Sequence, residues 1–185
     1  MSLTRAGIAL FMAAVAFGPL YTVPGYSMTQ HVISQLAAQH TPGNGIMATA
    51  FVLLGTAIVV DGLRAPRRRQ AWPFIAFGLA FALAGLFGHR PIAPDVPYSA
   101  AVDAAHSALA TVSGTALTIG FAWQALRRSA SMAHRAVAAA MALVCLGLPL
   151  LMLAHPAVQG LIQRAMYALV FAWLWSCYPR RLQAG

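Results

Sequence analysis

The stretch RAVAAAMALVCLGLPLLMLA occupies residues 135–154 and carries one charged side chain, Arg135, at its first position. An α-helix rises about 1.5 Å per residue, and the hydrocarbon core of a bilayer is about 30 Å thick. This stretch is therefore long enough and apolar enough to predict a helix that crosses a membrane.

Five further apolar runs flank this one, and each is long enough to cross. The six runs are Thr4–Leu20, Gly45–Leu63, Trp72–Gly88, Ser99–Ala125, Arg135–Ala154 and Pro156–Tyr178. They leave room only for short connections in a chain of 185 residues. The sequence thus predicts an all-α membrane protein, a six-transmembrane-helix bundle that forms one domain over residues 1–185.

The composition agrees with this class. Apolar side chains make up 60% of the chain and charged ones 8%, whereas a soluble domain has roughly 25% charged residues. A net charge of +9 would suggest nucleic acid as the partner of a soluble protein, but here the placement of the arginines matters more, and no nucleic-acid partner is expected. Cys145 and Cys177 lie within apolar runs without metal-site spacing, which predicts packing roles.

Basic residues indicate the orientation, because short basic loops are retained in the cytoplasm. Ten of the twelve arginines share one face: Arg5, Arg64, Arg67, Arg68, Arg69, Arg127, Arg128, Arg135, Arg180 and Arg181. We expect both termini in the cytoplasm and the protein in a bacterial inner membrane. The inner aromatic belt would consist of Trp72, Trp123, Trp173, Trp175 and Tyr178. Asp61 would form an interfacial ion pair with Arg64.

Polar chemistry collects on the opposite, outer side. Its members are His31, His40, His89, His106, His155, Asp95, Asp103, Arg90, Arg164, Gln163 and Ser34. His40 and His89 lie close to Pro42 and Pro91, a pattern typical of loop histidines.

Arg164 is predicted to lie about 12 Å inside the sixth helix, counted from Pro156. A guanidinium at that depth needs an acceptor, and Asp95 and Asp103 are the carboxylates on this side. We expect Asp103 to be the partner, with His106 three residues later on the same helix face.

The first outer connection, between Tyr21 and Gly43, contains Ser27-Met28-Thr29-Gln30, a capping-box pattern. It predicts a short amphipathic helix over about residues 28–39 that acts as a lid over the bundle. His31 and Ser34 would face the bundle, and Leu36 would face lipid or a neighbouring helix.

Several of these features resemble a known family. They are Val32–Ala37 before Thr41-Pro42-Gly43, the Pro94-Asp95 turn, His106 early in the fourth helix, and Gly160-x-x-Gln163-Arg164 followed by Trp173. In their order they are similar to the motifs of the bacterial six-helix membrane proteins called the domain of unknown function 998 family. The resemblance covers nearly the whole chain and implies six helices and an outward polar pocket. It implies no reaction.

Two functions from different classes are compatible with these residues. The first is binding of a lipid head group or small amphiphile in an outer pocket, where arginine suits a phosphate or carboxylate. Its candidate ligand-binding residues are Arg164, Asp103, His106, Asp95, His31, Ser34 and Gln163. Membrane lipids are the expected partners, and the sequence assigns no oligomeric state.

The alternative is an intramembrane hydrolase. Two or three of His31, His106 and His155 would hold Zn²⁺, or His106, Asp103 and Ser34 would act in catalysis. Haem binding, which needs two facing histidines such as His106 with His155 or His89, is less favoured.

Overall fold

The chain is described by a computed structural model over residues 2–66 and 68–178, apart from the side chain of Arg68. The helices are α1 (Leu3–Tyr21), α2 (Asn44–Leu63), α3 (Arg68–Ala84), α4 (Ala100–Leu126), α5 (Met132–Ala154) and α6 (Gln159–Cys177). Short 3₁₀ helices cover Ile33–Ala37 and Pro156–Val158. No strand occurs over these residues, which confirms the all-α class.

Five of the helices are long and apolar enough to cross a membrane; α3, with 17 residues, is shorter than the others. It ends at Ala84 rather than near Gly88, because the chain tightens into i→i−3 bonds there. Leu86 N–H donates to Leu83 O at 2.9 Å and Phe87 N–H to Ala84 O at 3.3 Å. Length and composition of these five helices thus support a multi-pass membrane protein.

Each helix packs against the next in the chain, and α6 also contacts α1. We call the end that carries Arg5, Arg64 and Arg127 the arginine end, and the end that carries His89 and His155 the histidine end. Of the arginines expected at the former, Arg67, Arg180 and Arg181 lie outside the described residues.

Aromatic rings fill the middle of the bundle. Phe11 of α1 lies 5.2 Å from Phe51 of α2 and 5.3 Å from Phe171 of α6, measured between ring centroids. Phe81 of α3 lies 4.6 Å from Phe51. Edge and tilted pairs of this kind add about 0.5–1.5 kcal/mol each beyond the burial of their area. Helix α3, the shortest, is therefore held at the centre of the core.

Close approach of α2 and α3 depends on Gly55 and Gly78. A Cβ added to Gly78 would lie 2.7 Å from Gly55 O, and one on Gly55 would lie 2.6 Å from Ala82 N. Small residues allow such backbone contact between membrane helices. It brings the Phe51 and Phe81 rings together.

Asp61 does not pair with Arg64 but with Thr4 of α1. Its Oδ2 accepts hydrogen bonds from the Thr4 backbone N–H and the Thr4 hydroxyl, both at 2.8 Å, and the residue is 7% exposed. The expected pairing with Arg64 is wrong, because the carboxylate points across to α1 rather than along its own helix. Of the aromatic side chains expected in the inner belt, Trp72, Trp123 and Trp175 are exposed, whereas Trp173 and Tyr178 are buried.

The first connection does not form the amphipathic helix predicted over residues 28–39. Its helical part is the five-residue 3₁₀ helix Ile33–Ala37, in which Leu36 is fully buried. The Leu36 side chain packs against Gly18 of α1, where an added Cβ would lie 2.7 Å from Leu36 Cδ1. Of the two surroundings predicted for Leu36, lipid or a neighbouring helix, the structure shows the second, because Leu36 packs on α1. The segment packs into the bundle through its apolar side chains.

Candidate site at the histidine end

The polar side chains of the histidine end form two clusters, both in contact with the first connection. One is built on the start of α6 and the other on the start of α4. We call them the Arg164 cluster (Tyr26, His31, Gly160, Gln163, Arg164) and the His89 cluster (Gln39, His89, Asp103, His106).

Arg164 is bonded to oxygens of the first connection and of its own helix. Its Nη1 donates to Met28 O at 2.6 Å, to His31 O at 2.9 Å and to Gly160 O at 2.9 Å. Its Nη2 donates to the Tyr26 hydroxyl at 2.6 Å. The predicted Arg164–Asp103 pair is wrong, because the acceptors of Arg164 include backbone carbonyl oxygens and, among the described residues, no carboxylate.

Gln163 and Gly160 complete this attachment. Gln163 Oε1 accepts from Ile33 N–H at 2.6 Å, and Leu161 N–H donates to Thr29 O at 3.0 Å. A Cβ on Gly160 would lie 2.7 Å from Met28 O, so only glycine lets the loop approach this closely. The Gly-x-x-Gln-Arg motif thus docks the first connection on α6.

His31 and Ser34, both candidate site residues, lie in this docked segment. His31 Nδ1 accepts from Ser27 N–H at 2.8 Å, and Ser34 is buried in the 3₁₀ helix. Burial and the nearby Arg164 charge lower the pKa of His31 below its usual 6.5. Burial raises the pKa of Tyr26, although Arg164 opposes that shift.

Asp103, in the first turn of α4, pairs with His89. Its Oδ1 accepts from His89 Nδ1 and, at 2.8 Å, from Arg90 N–H. The two side chains are 18% and 20% exposed. This hydrogen bond involves a histidine for which the sequence predicts only a turn beside Pro91.

His106 lies beneath His89, and the two rings stack at 5.2 Å with an angle of 11° between their planes. His106 is 4% exposed. Its Nδ1 lies 3.0 Å from Ala84 O and 2.8 Å from Phe87 O. Carbonyl oxygens only accept, so this Nδ1 carries the hydrogen, and the bonds tie the end of α3 to α4.

Gln39 supports the cluster from the first connection, a role that the sequence does not predict. Its Nε2 donates to Gly88 O at 2.8 Å, its Oε1 accepts from Ser99 N–H at 2.9 Å, and its own N–H donates to His89 O at 2.9 Å. Gly88, His89 and Ser99, the N-cap of α4, are thereby held together. A lone glutamine in a loop gave no signal of this role.

The proposed metal and triad groupings are not assembled. No group of three His, Cys, Asp or Glu side chains suited to a metal occurs across the described ranges, so His31, His106 and His155 do not converge. His155 is an exposed C-cap of α5, and Asp95 is exposed in a turn of the α3–α4 connection. Asp103 bonds His89 rather than His31 or His106. The directly stacked His89 and His106 rings leave no gap for haem between them.

An apolar groove of about 270 Å³ opens between α3 and α4 on the surface of the bundle. Its lining residues are Trp72, Pro73, Ala76, Thr111, Val112, Thr115, Ala116 and Ile119. Asp103, Ser107, Thr111 and Thr115 follow one another at i, i+4 spacing, which forms a continuous ridge on a helix. This polar ridge leads along α4 from the His89 cluster to the groove.

These apolar helices, with polar side chains gathered at the two ends of the bundle, are typical of a multi-pass helical membrane protein. The family model described as "Protein of unknown function (DUF998)" matches residues 5–176. The chain belongs to this family, as the order of its motifs had predicted. Comparisons with curated proteins and with solved structures gave no match.

Proposed function

We propose that the protein binds a membrane lipid or similar amphiphile along α4. The end of the acyl chain lies in the α3–α4 groove, and the head group lies against His89, Arg90 and Asp103. The observation that carries this proposal is the groove itself, because it is apolar, opens on the bundle surface, and is joined by the polar ridge to a charged cluster.

The spacing along α4 fits a lipid. Thr111 lies eight residues beyond Asp103, which is about 12 Å at the helical rise. One leaflet contributes about 15 Å of hydrocarbon, half of the usual core. A lipid with its head at Asp103 would therefore place the end of its chain in the groove.

We further propose that all six helices span a bacterial inner membrane, with the termini and the arginine end in the cytoplasm. Helix α3 has 17 residues, or about 26 Å, and residues 85–88 extend it toward the histidine end. The concentration of arginines at one end supports this orientation. The histidine end would then face outward, where the head group of an outer-leaflet lipid lies.

Native mass spectrometry of the gently purified protein tests the lipid site. Thr115→Phe and Ala76→Phe fill the groove, and we expect both variants to lose a lipid adduct that the parent protein retains. Leu146→Phe is the matched control, because Leu146 is 58% exposed on α5, away from the groove. Equal adducts in all four proteins would refute the proposal.

A further inference from the structure

We infer that the head group bound at the His89 cluster carries hydrogen-bond donors, as the ammonium of phosphatidylethanolamine and the hydroxyls of phosphatidylglycerol do. This inference rests on the proposed lipid site and adds the chemical class of its ligand. The trimethylammonium of phosphatidylcholine has no N–H or O–H and would be disfavoured.

The bonding of His89 determines which of its ring nitrogens accepts. Asp103 Oδ1 takes the hydrogen bond from His89 Nδ1, so Nδ1 carries the hydrogen and, in the neutral ring, Nε2 keeps its lone pair. The His89 side chain is 18% exposed. It therefore offers an acceptor, rather than a donor, to a molecule at the membrane surface.

Burial and three neighbouring side chains affect the pKa of His89. Burial lowers the pKa of His89 below its usual 6.5, as do the neighbouring His106 and Arg90, although Asp103 opposes the shift. The ring is therefore neutral at pH 7, and Nε2 remains an acceptor.

Arg90 supplies the complementary charge. It is exposed and follows His89 directly in the chain, and its backbone N–H is fixed by Asp103 Oδ1 at 2.8 Å. A guanidinium suits a phosphate. Arg90 can thus bind the lipid phosphate, while His89 Nε2 accepts a hydrogen bond from the group beyond that phosphate. This pair suits a phospholipid whose terminal group carries N–H or O–H donors.

Trp72 provides a spectroscopic test, since it lines the groove and is 61% exposed. Bromine atoms on an acyl chain quench a nearby indole. Delipidated protein in detergent is titrated with phosphatidylethanolamine, phosphatidylglycerol and phosphatidylcholine that carry bromine near the end of the acyl chain, the part that enters the groove. The quenching that disappears in Trp72→Phe is taken as the groove signal. We expect this signal at about tenfold lower concentrations of the first two lipids, which equals about 1.4 kcal/mol.

Variants assign the preference to one side chain. His89→Leu removes the acceptor and should bring the first two lipids to the level of phosphatidylcholine, while His155→Leu, at the same end of the bundle, should leave the preference unchanged. Lowering the pH below the His89 pKa protonates Nε2 in the unsubstituted protein and should also abolish the preference. This second measurement does not depend on how a variant folds.

The outcomes separate the two proposals. Equal groove quenching by all three lipids would overturn the head-group inference and leave the lipid site intact. Absence of any Trp72-dependent quenching would overturn the lipid site itself. A preference that survives both His89→Leu and acidification would show that His89 does not select the head group.

Discussion

At the scale of single residues, Asp61 caps a helix to which it does not belong. The first N–H groups of a helix have no partner within it, and a negative charge near them is favourable. Asp61 of α2 meets both needs for α1 through the backbone and side chain of Thr4, which is fully buried. One carboxylate thus fixes the start of α1 against the end of α2.

We expect Asp61→Ala to lower the free energy of unfolding by about 1–3 kcal/mol, because buried donors of Thr4 lose their acceptor. Asp61→Asn should cost less, since its amide oxygen still accepts. Arg64→Ala, which removes the partner expected from sequence, should change it by about 0.5 kcal/mol or less. Chemical unfolding in detergent measures all three. Equal losses from Asp61→Ala and Arg64→Ala would favour the ion pair instead.

The sequence singled out Asp103, His106 and Arg164, but it missed His89, Gln39 and most of the partners of these side chains. Asp103, His106 and Arg164 do lie at the histidine end, because periodicity and depth depend on helix position alone. Arg164 found its acceptors in Met28 and His31 carbonyls, which become available only when an irregular loop folds over α6. Side-chain chemistry gives no information about where loop carbonyls point.

At the scale of elements, the start of α6 holds the first connection in place. Gly160 permits backbone contact, Gln163 accepts from Ile33 N–H, and Arg164 gathers two loop carbonyls and Tyr26. Hydrogen bonds to charged groups contribute about 1.5–3 kcal/mol each. The connection is therefore packed against the bundle as part of it.

We predict that Ser34→Cys reacts with a maleimide much more slowly than Gly45→Cys, because Ser34 is buried and Gly45 is exposed. Adding Gly160→Ala should raise the rate at position 34 about tenfold for each 1.4 kcal/mol of docking lost. Gly147→Ala on α5 is the matched control, since a Cβ there meets nothing within 4 Å. Fast labelling at position 34 without any second change would mean that the connection is a free loop.

The helices themselves were largely predictable, because a span needs only length and apolar composition. The bounds of α2 and α5 agree with the expected runs to within three residues. The form of the first connection was not predictable, because the Ser27-x-x-Gln30 pattern fits a turn as well as a helix. Gln30 N–H donates to Ser27 Oγ at 3.4 Å, but the chain bends at His31 instead of continuing as a helix. The connection instead adopts a 3₁₀ helix that buries Ile33 and Leu36 in the bundle.

At the scale of the whole molecule, the number of spans depends on α3. We predict that reporter fusions after Arg68 and at Gly185 are active inside the cell, and that a fusion after Arg90 is active outside. The reason is that ten arginines would otherwise have to be translocated, which the cytoplasmic retention of basic loops opposes. Reporters at Arg68 and Arg90 on the same side would show that α3 enters the membrane without crossing it.

The contacts of α6 have a consequence for the order of biosynthesis. At the histidine end Arg164 and Gln163 bind residues 26–33, and at the arginine end Trp175 O accepts from Arg5 Nε at 2.9 Å while the Tyr178 hydroxyl reaches Ile58 O at 2.8 Å. These partners lie in the first third of the chain, so they leave the ribosome long before α6 does. The contacts at both ends of the bundle can form only after α6 has been made. A nascent chain that stops before Gly160 would lack them, and its first connection and the start of α1 would be more exposed to proteases.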